Sequence, residues 1–353
     1  MTAHDQLPNS DSQPSILDKM KQMVGVGTGE TTPQPETEAS AQALPGHKFQ
    51  RIHIIVNPAS GQEGLKLPAL NKVLKDLGIE WEMFVTRKGG EAGERARQAV
   101  AAGVDAVVVY GGDGTVLEVA SNLSGSDIPL VILPGGTANV LSVELGIPRD
   151  QTQAALLLGG VPNAVRALDM GALSGVKRKD GNDSDLLFFH LGIGLEGTMH
   201  ENADRDAKDQ SGMFAYIVGA LRTMTNPTSA HYHMTLDGQT VEADGVNCMV
   251  TNFGSVGVPG ITLSHAIDTS DGLLDIIVIQ NTNISSLLSA AASAVTSGEL
   301  AQPLLQWQAK EVTIVADPPQ TIVVDGELVE VDQVTVRIVP QTIRVVVPAP
   351  SSP

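Results

Sequence analysis

From Phe49 to Leu158 short apolar runs alternate with stretches whose apolar residues recur every three or four positions. The short runs predict strands and the longer period predicts helices. The strands so read are Arg51–Val56, Trp81–Val85, Ala106–Tyr110 and Pro129–Leu133, and the helices are Leu65–Leu77, Glu91–Ala102, Val116–Leu123, Val140–Leu145 and Gln151–Leu158. Gly78, Gly103 and Gly146 are placed to close three of these helices, and Asp150 to cap the last. Repeated βα units imply an open parallel sheet with helices on its faces, and such sheets gather ligands at the carboxyl ends of their strands.

Beyond about residue 165 the texture becomes β-rich. Candidate strands are Leu186–Leu191, His231–Leu236, Val246–Asn252, Leu274–Ile279, Glu311–Val315, Thr321–Val324, Leu328–Val331 and Val334–Ile338, with helical patterns at Gly212–Met224 and Ile284–Thr296. This predicts an α/β chain: an N-terminal open parallel-sheet domain over 49–165, and a C-terminal β-sandwich or barrel domain over 166–341. Thr342–Val347 is apolar enough to return to the first domain. Residues 1–48, rich in Pro, Ser, Thr, Gln and Glu, read as a disordered tail. Within it Ile16, Leu17, Met20, Met23 and Val24 keep helical spacing, which would suit a membrane or partner contact.

Charge narrows the partners. A formal net charge of −18 argues against nucleic acid and against strong attraction to anionic lipid. A nucleotide ligand would then require a metal counter-ion. With two Trp, three Tyr and six Phe in 353 residues, the cores must rest on Val, Leu, Ile and Ala. The one cysteine, Cys248, excludes an internal disulfide and a cysteine-built zinc site. The start MTAHDQLPNSDSQ lacks the basic and apolar parts of a secretory signal, and no run approaches the ~20 apolar residues of a membrane span, so the chain reads as soluble and cytoplasmic.

Four of the predicted strands end in polar or glycine turns: Asn57–Gly61, Thr86, Gly111–Thr115 and Gly135–Asn139. In GGDGT, Gly111, Gly112 and Gly114 let a ligand approach bare backbone, and Thr115 with Glu118 has capping-box spacing for the helix that follows. Strand, glycine turn and helix N-terminus together make an anion site. Asp113 beside a phosphate then calls for Mg²⁺ or a proton-transfer task. Taken alone, GGDG also fits a plain strand-to-helix turn, but four such turns on one edge point to a composite phosphate site. His231 and His233 alternate along a strand with no further convincing ligand in the sequence.

NPASG at Asn57–Gly61, GGDGT at Gly111–Thr115 and PGGTAN at Pro134–Asn139 stand in the order and spacing of the diacylglycerol kinase catalytic family. The likeness continues through HLGIGLEG, DRDAKDQSGMFAY, DTSDGLLD and DGE, from about Phe49 to Val347. It implies an ATP- and Mg²⁺-dependent kinase whose acceptor is a lipid hydroxyl, diacylglycerol or a related lipid alcohol, met at a membrane surface by transient peripheral association. Asn57, Ser60, Gly61, Thr86, Gly112, Asp113, Gly114, Thr115, Gly136, Thr137 and Asn139 would form the ATP site. For Ser60, Thr86 and Thr137, helix capping is an equally simple task. A Mg²⁺ site is implied at the Asp271 carboxylate with the carbonyls of Asp268 and Leu273, and Asp169 would join the metal through water. Glu327 matches the base that takes the lipid proton, with Asp113 and Asp325 able to share that role.

Without the resemblance, DTSDGLLD reads as a turn and Asp325-Gly326 as a hairpin turn. His190 and Glu196-Gly197 depart from the family pattern on the lipid side, while Arg205 and Lys208 match basic positions there. The sequence leaves a homodimer open, and it leaves two other functions to be distinguished: a kinase for a soluble alcohol or NAD, and a non-catalytic nucleotide-gated lipid-binding protein.

Overall fold

The computed structural model describes residues 46–61, 64–174, 186–195, 229–255, 263–264, 266–280, 304–329, 331 and 333–350. The segment Ile16–Val24, nearly all of the expected tail, the helical patterns Gly212–Met224 and Ile284–Thr296, and Glu196, Gly197, Arg205 and Lys208 lie outside the described residues.

Four parallel strands, β1 (Arg51–Val56), β2 (Glu80–Val85), β3 (Ala106–Gly111) and β4 (Leu130–Pro134), stand in the order β2-β1-β3-β4. All residues of β3 and β4 are buried, as their unbroken apolar runs require. The helices are α1 (Leu67–Leu77), α2 (Glu91–Ala102), α3 (Asp113–Leu123), α4 (Val140–Glu144) and α5 (Gln151–Leu156). α1 buries Leu70, Val73 and Leu74, one face at three- and four-residue spacing, and stops at Gly78, whose φ of 69° a side chain would resist. The Asp150 carboxylate caps α5 by accepting the N–H groups of Thr152 and Gln153.

The predicted capping box at the start of α3 does not form. The helix begins at Asp113 after an extended Gly112 with no side-chain cap. Thr115 Oγ1 instead accepts from Asn57 Nδ2 at 2.8 Å, and Glu118 Oε1 accepts from the N–H of Gly93 at 2.9 Å. Both side chains find partners on neighbouring elements, which outcompete the local cap.

The parallel strands continue into an antiparallel region. In β16 (Val334–Pro348), the first half pairs with β13 (Glu311–Asp317), and Val345 in the second half pairs parallel with Leu130 of β4. β5 (Asn163–Leu173) lies antiparallel to both halves and carries β6 (Leu186–Phe188), while β8 (Ala230–Leu236) and β9 (Gln239–Gly245) complete the far edge of this ten-stranded sheet. A second, antiparallel sheet has six strands. Their order is β12 (Leu304–Ala309), β11 (Leu274–Ile279), β10 (Asn247–Thr251), β7 (His190–Gly194), β14 (Ile322–Val324) and β15 (Glu327–Val329).

Two differences from the sequence reading shape the site. The single strand expected at Leu186–Leu191 breaks at Phe189, so that β6 and β7 enter different sheets. The backbone N–H groups of Phe189 and His190 turn to the Asp325 carboxylate at 3.0–3.3 Å instead of to a neighbouring strand. Conversely, the separate strands expected at Val334–Ile338 and Thr342–Val347 are one strand with a register shift between Val339 and Ile343, where Gln341 adopts a φ of 49°. The shift lets one strand serve two cores. Val334, Val336 and Ile338 pack with β8, β10 and β11, whereas Ile343 and Val345–Val347 pack with β1, β3 and β4. Strands β5, β9 and β12 have no counterpart in the sequence reading. β9, QTVEADG, is largely exposed and, among the described residues, pairs with β8 alone, so it carries little hydrophobic signal. Among the described residues, no helix is long and apolar enough to cross a membrane.

Candidate functional site

The order β2-β1-β3-β4 reverses direction between β1 and β3, and the turns after these two strands open at that switch point. They are fastened to each other. The N–H of Asn57 donates to Tyr110 O at 2.9 Å, the N–H of Gly112 to Ser60 Oγ at 3.2 Å, and the Tyr110 hydroxyl to Ser60 O at 2.9 Å. The turn after β4 joins them through the N–H of Gly135, which donates to Gly111 O at 2.9 Å.

Glycine is required by this packing. A Cβ on Gly61, whose φ is +70°, would lie 2.2 Å from Gly135 O; one on Gly136 would lie 2.7 Å from Gly112 Cα; one on Gly135 would lie 2.8 Å from the Tyr110 ring. Around Gly114 there is open space. The motif residues therefore divide in two. Asn57, Ser60, Thr86, Thr115 and Asn139 spend their side chains on the turns themselves: Asn57 Oδ1 accepts from the N–H of Ala59, Thr86 Oγ1 donates to Val56 O, and Asn139 bonds both the N–H and the carbonyl of Gly136. The N-cap residues of α1, α2 and α4 are Lys66, Gly90 and Asn139, and none of them makes a side-chain cap hydrogen bond. Gly114 and Thr137 are exposed on the surface of the cradle.

The acids lie beside these turns. Burial raises the Asp113 carboxyl above the usual carboxylate range, and the N–H groups of Val140, Leu141 and Asn139 draw it part of the way back. Burial pushes Asp325 up to about 7, offset by the N–H groups of Phe189 and His190 and by the His190 ring, and reinforced by the nearby Asp113 charge. Asp325 sits at the tip of the β14–β15 hairpin with a φ of 47°; the residue is partly exposed but its carboxylate points inward. Glu327 begins β15, opposite Val324, and is exposed.

A second constellation surrounds the DTSDGLLD turn. Asp169, 1% exposed, accepts the N–H of Gln341 on Oδ1 and that of Gly272 on Oδ2, both at 2.7 Å, and so ties the β16 irregularity to this turn. Asn252 Nδ2 donates to the carbonyls of Asp169 and Thr269, and Arg166 Nη2 donates to Thr269 Oγ1 at 3.0 Å. Asp268 and Asp271 are exposed; Asp268 Oδ1 accepts from Ser270, and Asp271 accepts from the N–H of Leu273 and, at 3.3 Å, from Gln308 Nε2. Asp275 is wholly buried. Its Oδ1 accepts from Gln306 and its Oδ2 has no hydrogen-bond partner among the described residues, and burial together with the Asp271 charge raises the group to about 6. The carboxylates here are hard oxygen donors, and with an unpartnered oxygen on Asp275 the set fits Mg²⁺ in kind.

Glu144, Arg166, Asn252 and Asp275 escaped the sequence reading as site residues. Glu144 on α4 accepts the N–H of Ser255 at 2.6 Å, and burial raises its carboxyl. A lone acid in the apolar stretch VLSVEL was the signal available for it.

Known proteins share this arrangement. Residues 51–173 match the family model described as diacylglycerol kinase catalytic domain, and residues 190–347 match the YegS C-terminal NAD kinase beta sandwich-like domain. An uncharacterised protein of Synechocystis sp. is 30% identical over 325 residues, which cover 86% of this chain and 72% of the relative. A Staphylococcus aureus (strain JH9) protein named "Putative lipid kinase" is 26% identical over 243 residues, covering 68% of this chain and 76% of its own. The crystal structure of a "putative diacylglycerol kinase" from Bacillus anthracis superposes with a TM-score of 0.72 at 26% identity, covering 87% of this chain and 99% of the other.

Proposed function

The chain belongs to the diacylglycerol kinase catalytic family, and from that premise we propose that it transfers the γ-phosphoryl group of ATP to the hydroxyl of a lipid alcohol, diacylglycerol or a close relative, with Mg²⁺. The observation that carries the proposal is the closure of three glycine turns on one another at the switch point, with Asp113 and Asp325 within electrostatic reach of each other beside them. A cradle of bare backbone at strand ends suits phosphate groups.

In this reading Asn57, Ser60, Gly61, Thr86, Gly112, Thr115, Gly136 and Asn139 hold the shape of the nucleotide site, and Gly114 and Thr137 line its open side. Asp271 and the carbonyls of Asp268 and Leu273 would hold Mg²⁺, with Asp169 joined to it through water and Asp113 in the same network, and the ion would supply charge neutralisation for the transferring phosphoryl group. Glu327, exposed where a lipid hydroxyl can reach it, orients that hydroxyl and accepts its proton late in the transfer. Asp325 is turned inward and acts by positioning the hairpin that presents Glu327. A lipid acceptor requires the enzyme to work at a membrane surface, reached peripherally from the cytoplasmic side.

The test is transfer of label from γ-labelled ATP to a panel of diacylglycerol, sphingosine, ceramide and undecaprenol in mixed micelles, with NAD in parallel. Label in a lipid is the expected result. Label in NAD alone, or lipid binding without ATP consumption, would overturn the proposal.

A further inference from the structure

At the far edge of the ten-stranded sheet, with β16 and β13 between it and β4, the β8–β9 hairpin presents a compact group of nitrogen and oxygen donors. His231 and His233 are two residues apart on β8 and so share one face of the strand. The antiparallel register sets Asp244 opposite His231 and Glu242 opposite His233, on that same face. β13 adds Asp317 opposite His231 from the other side. The sequence supplied the histidine pair without a third ligand; strand pairing supplies it.

We propose that His231 Nε2, His233 Nδ1 and the Glu242 carboxylate form a binding site for a first-row transition-metal dication such as Zn²⁺, distinct from the Mg²⁺-dependent kinase site. Two distances favour this over a pair of surface hydrogen bonds. His231 Nε2 lies 3.7 Å from Glu242 Oε2, and His233 Nδ1 lies 3.4 Å from Glu242 Oε1. Both exceed the usual N–H···O separation. The second matches the ligand-to-ligand edge of about 3.3–3.4 Å that follows from metal–ligand bonds of about 2.0–2.1 Å in a tetrahedron, and the first lies a little beyond it.

The three donor groups offer ligand atoms that all lie within 4.8 Å of one another, a gap that small rotations of these accessible side chains can close. His231 Nδ1 is 2.8 Å from Asp244 Oδ1. In the tautomer whose Nδ1–H donates to that carboxylate, the neutral ring carries its free lone pair on Nε2, the nitrogen on the Glu242 side. A histidine held this way by a carboxylate is the usual support for a metal ligand. Imidazole nitrogens select zinc-like ions over Mg²⁺, which prefers an all-oxygen shell. Three protein ligands leave a fourth position to water, and the bound ion would clamp the exposed edge hairpin.

The experiment titrates the full-length protein with Co²⁺, followed by its visible ligand-field absorption, and then displaces the Co²⁺ with Zn²⁺. One equivalent should bind, and millimolar Mg²⁺ should not displace it. His231→Gln combined with His233→Gln should weaken binding at least 100-fold, Glu242→Gln at least 10-fold, and Asp244→Asn about 10-fold. Circular dichroism checks that the variants fold. Absence of Co²⁺ binding, displacement by Mg²⁺, or an unchanged titration in the folded double-histidine variant would overturn the assignment.

Discussion

The Asp325 carboxylate accepts the backbone N–H of Phe189 at 3.1 Å, at the residue where the chain leaves the ten-stranded sheet for the six-stranded one. The same carboxylate takes the N–H of His190 at 3.0 Å. One side chain therefore satisfies two amides that a sheet crossover would strand, and it fixes the hairpin bearing Glu327 against that crossover.

This arrangement makes stability depend on pH. The Asp325 carboxyl ionises near 3.8 when unfolded and near 7 when folded. The folded state thus holds the proton more tightly between these values, and stability is lost as pH rises from about 4 to about 7, by at most roughly 4 kcal/mol. Asp325→Asn should remove that slope and be the more stable form at pH 8, as read by urea denaturation at pH 5 and 8. Parallel pH profiles for the two proteins would contradict the buried-acid account.

Two glycine substitutions should separate packing from ligand contact. Gly61→Ala forces a Cβ to 2.2 Å from Gly135 O at a left-handed φ and should cost about 2–4 kcal/mol. Gly114→Ala meets open space, so its melting temperature should stay near the parent's while ATP affinity falls several-fold. Equal melting temperatures for the two variants would refute the packing claim.

Asp169→Ala leaves the N–H groups of Gln341 and Gly272 without their shared acceptor. Two amides that lose their acceptor in part-buried bonds should cost about 1–3 kcal/mol. Hydrogen exchange should then speed up at Gln341 and Gly272 before it does in β3, which is buried throughout.

For the reaction itself, Glu327→Gln should lower kcat by about 10²–10⁴ while leaving the KM for ATP nearly unchanged, as loss of a general base does. Asp113→Asn should abolish turnover with the fold intact. Near-normal turnover in either variant would remove that residue from its proposed role.

The α/β class, the parallel strands and the three glycine motifs were legible in the chain itself. Ala106–Tyr110 has to be buried on both faces because four of its five side chains are purely apolar and the fifth is an aromatic ring, and α1 has to face inward along Leu70, Val73 and Leu74. These are local demands, met within a few residues. The helix cap at Asp150 formed for the same reason, since its partners lie two and three positions away.

What the sequence could not decide is which of several local options wins when a distant partner is present. Thr115 had a capping partner three residues along the chain and went to Asn57; Glu118 went to Gly93. Leu186–Leu191 had the composition of one strand and was divided by a carboxylate more than a hundred residues away. The histidines of β8 acquired Glu242 only through strand register, on an edge strand whose polar sequence gives little sign of being a strand. Sequence by itself determined where the chain must hide and where it must turn, because burial and backbone conformation are properties of short segments. Tertiary structure alone decided which polar groups meet, because a hydrogen bond or a ligand set depends on distances between segments that sequence does not hold.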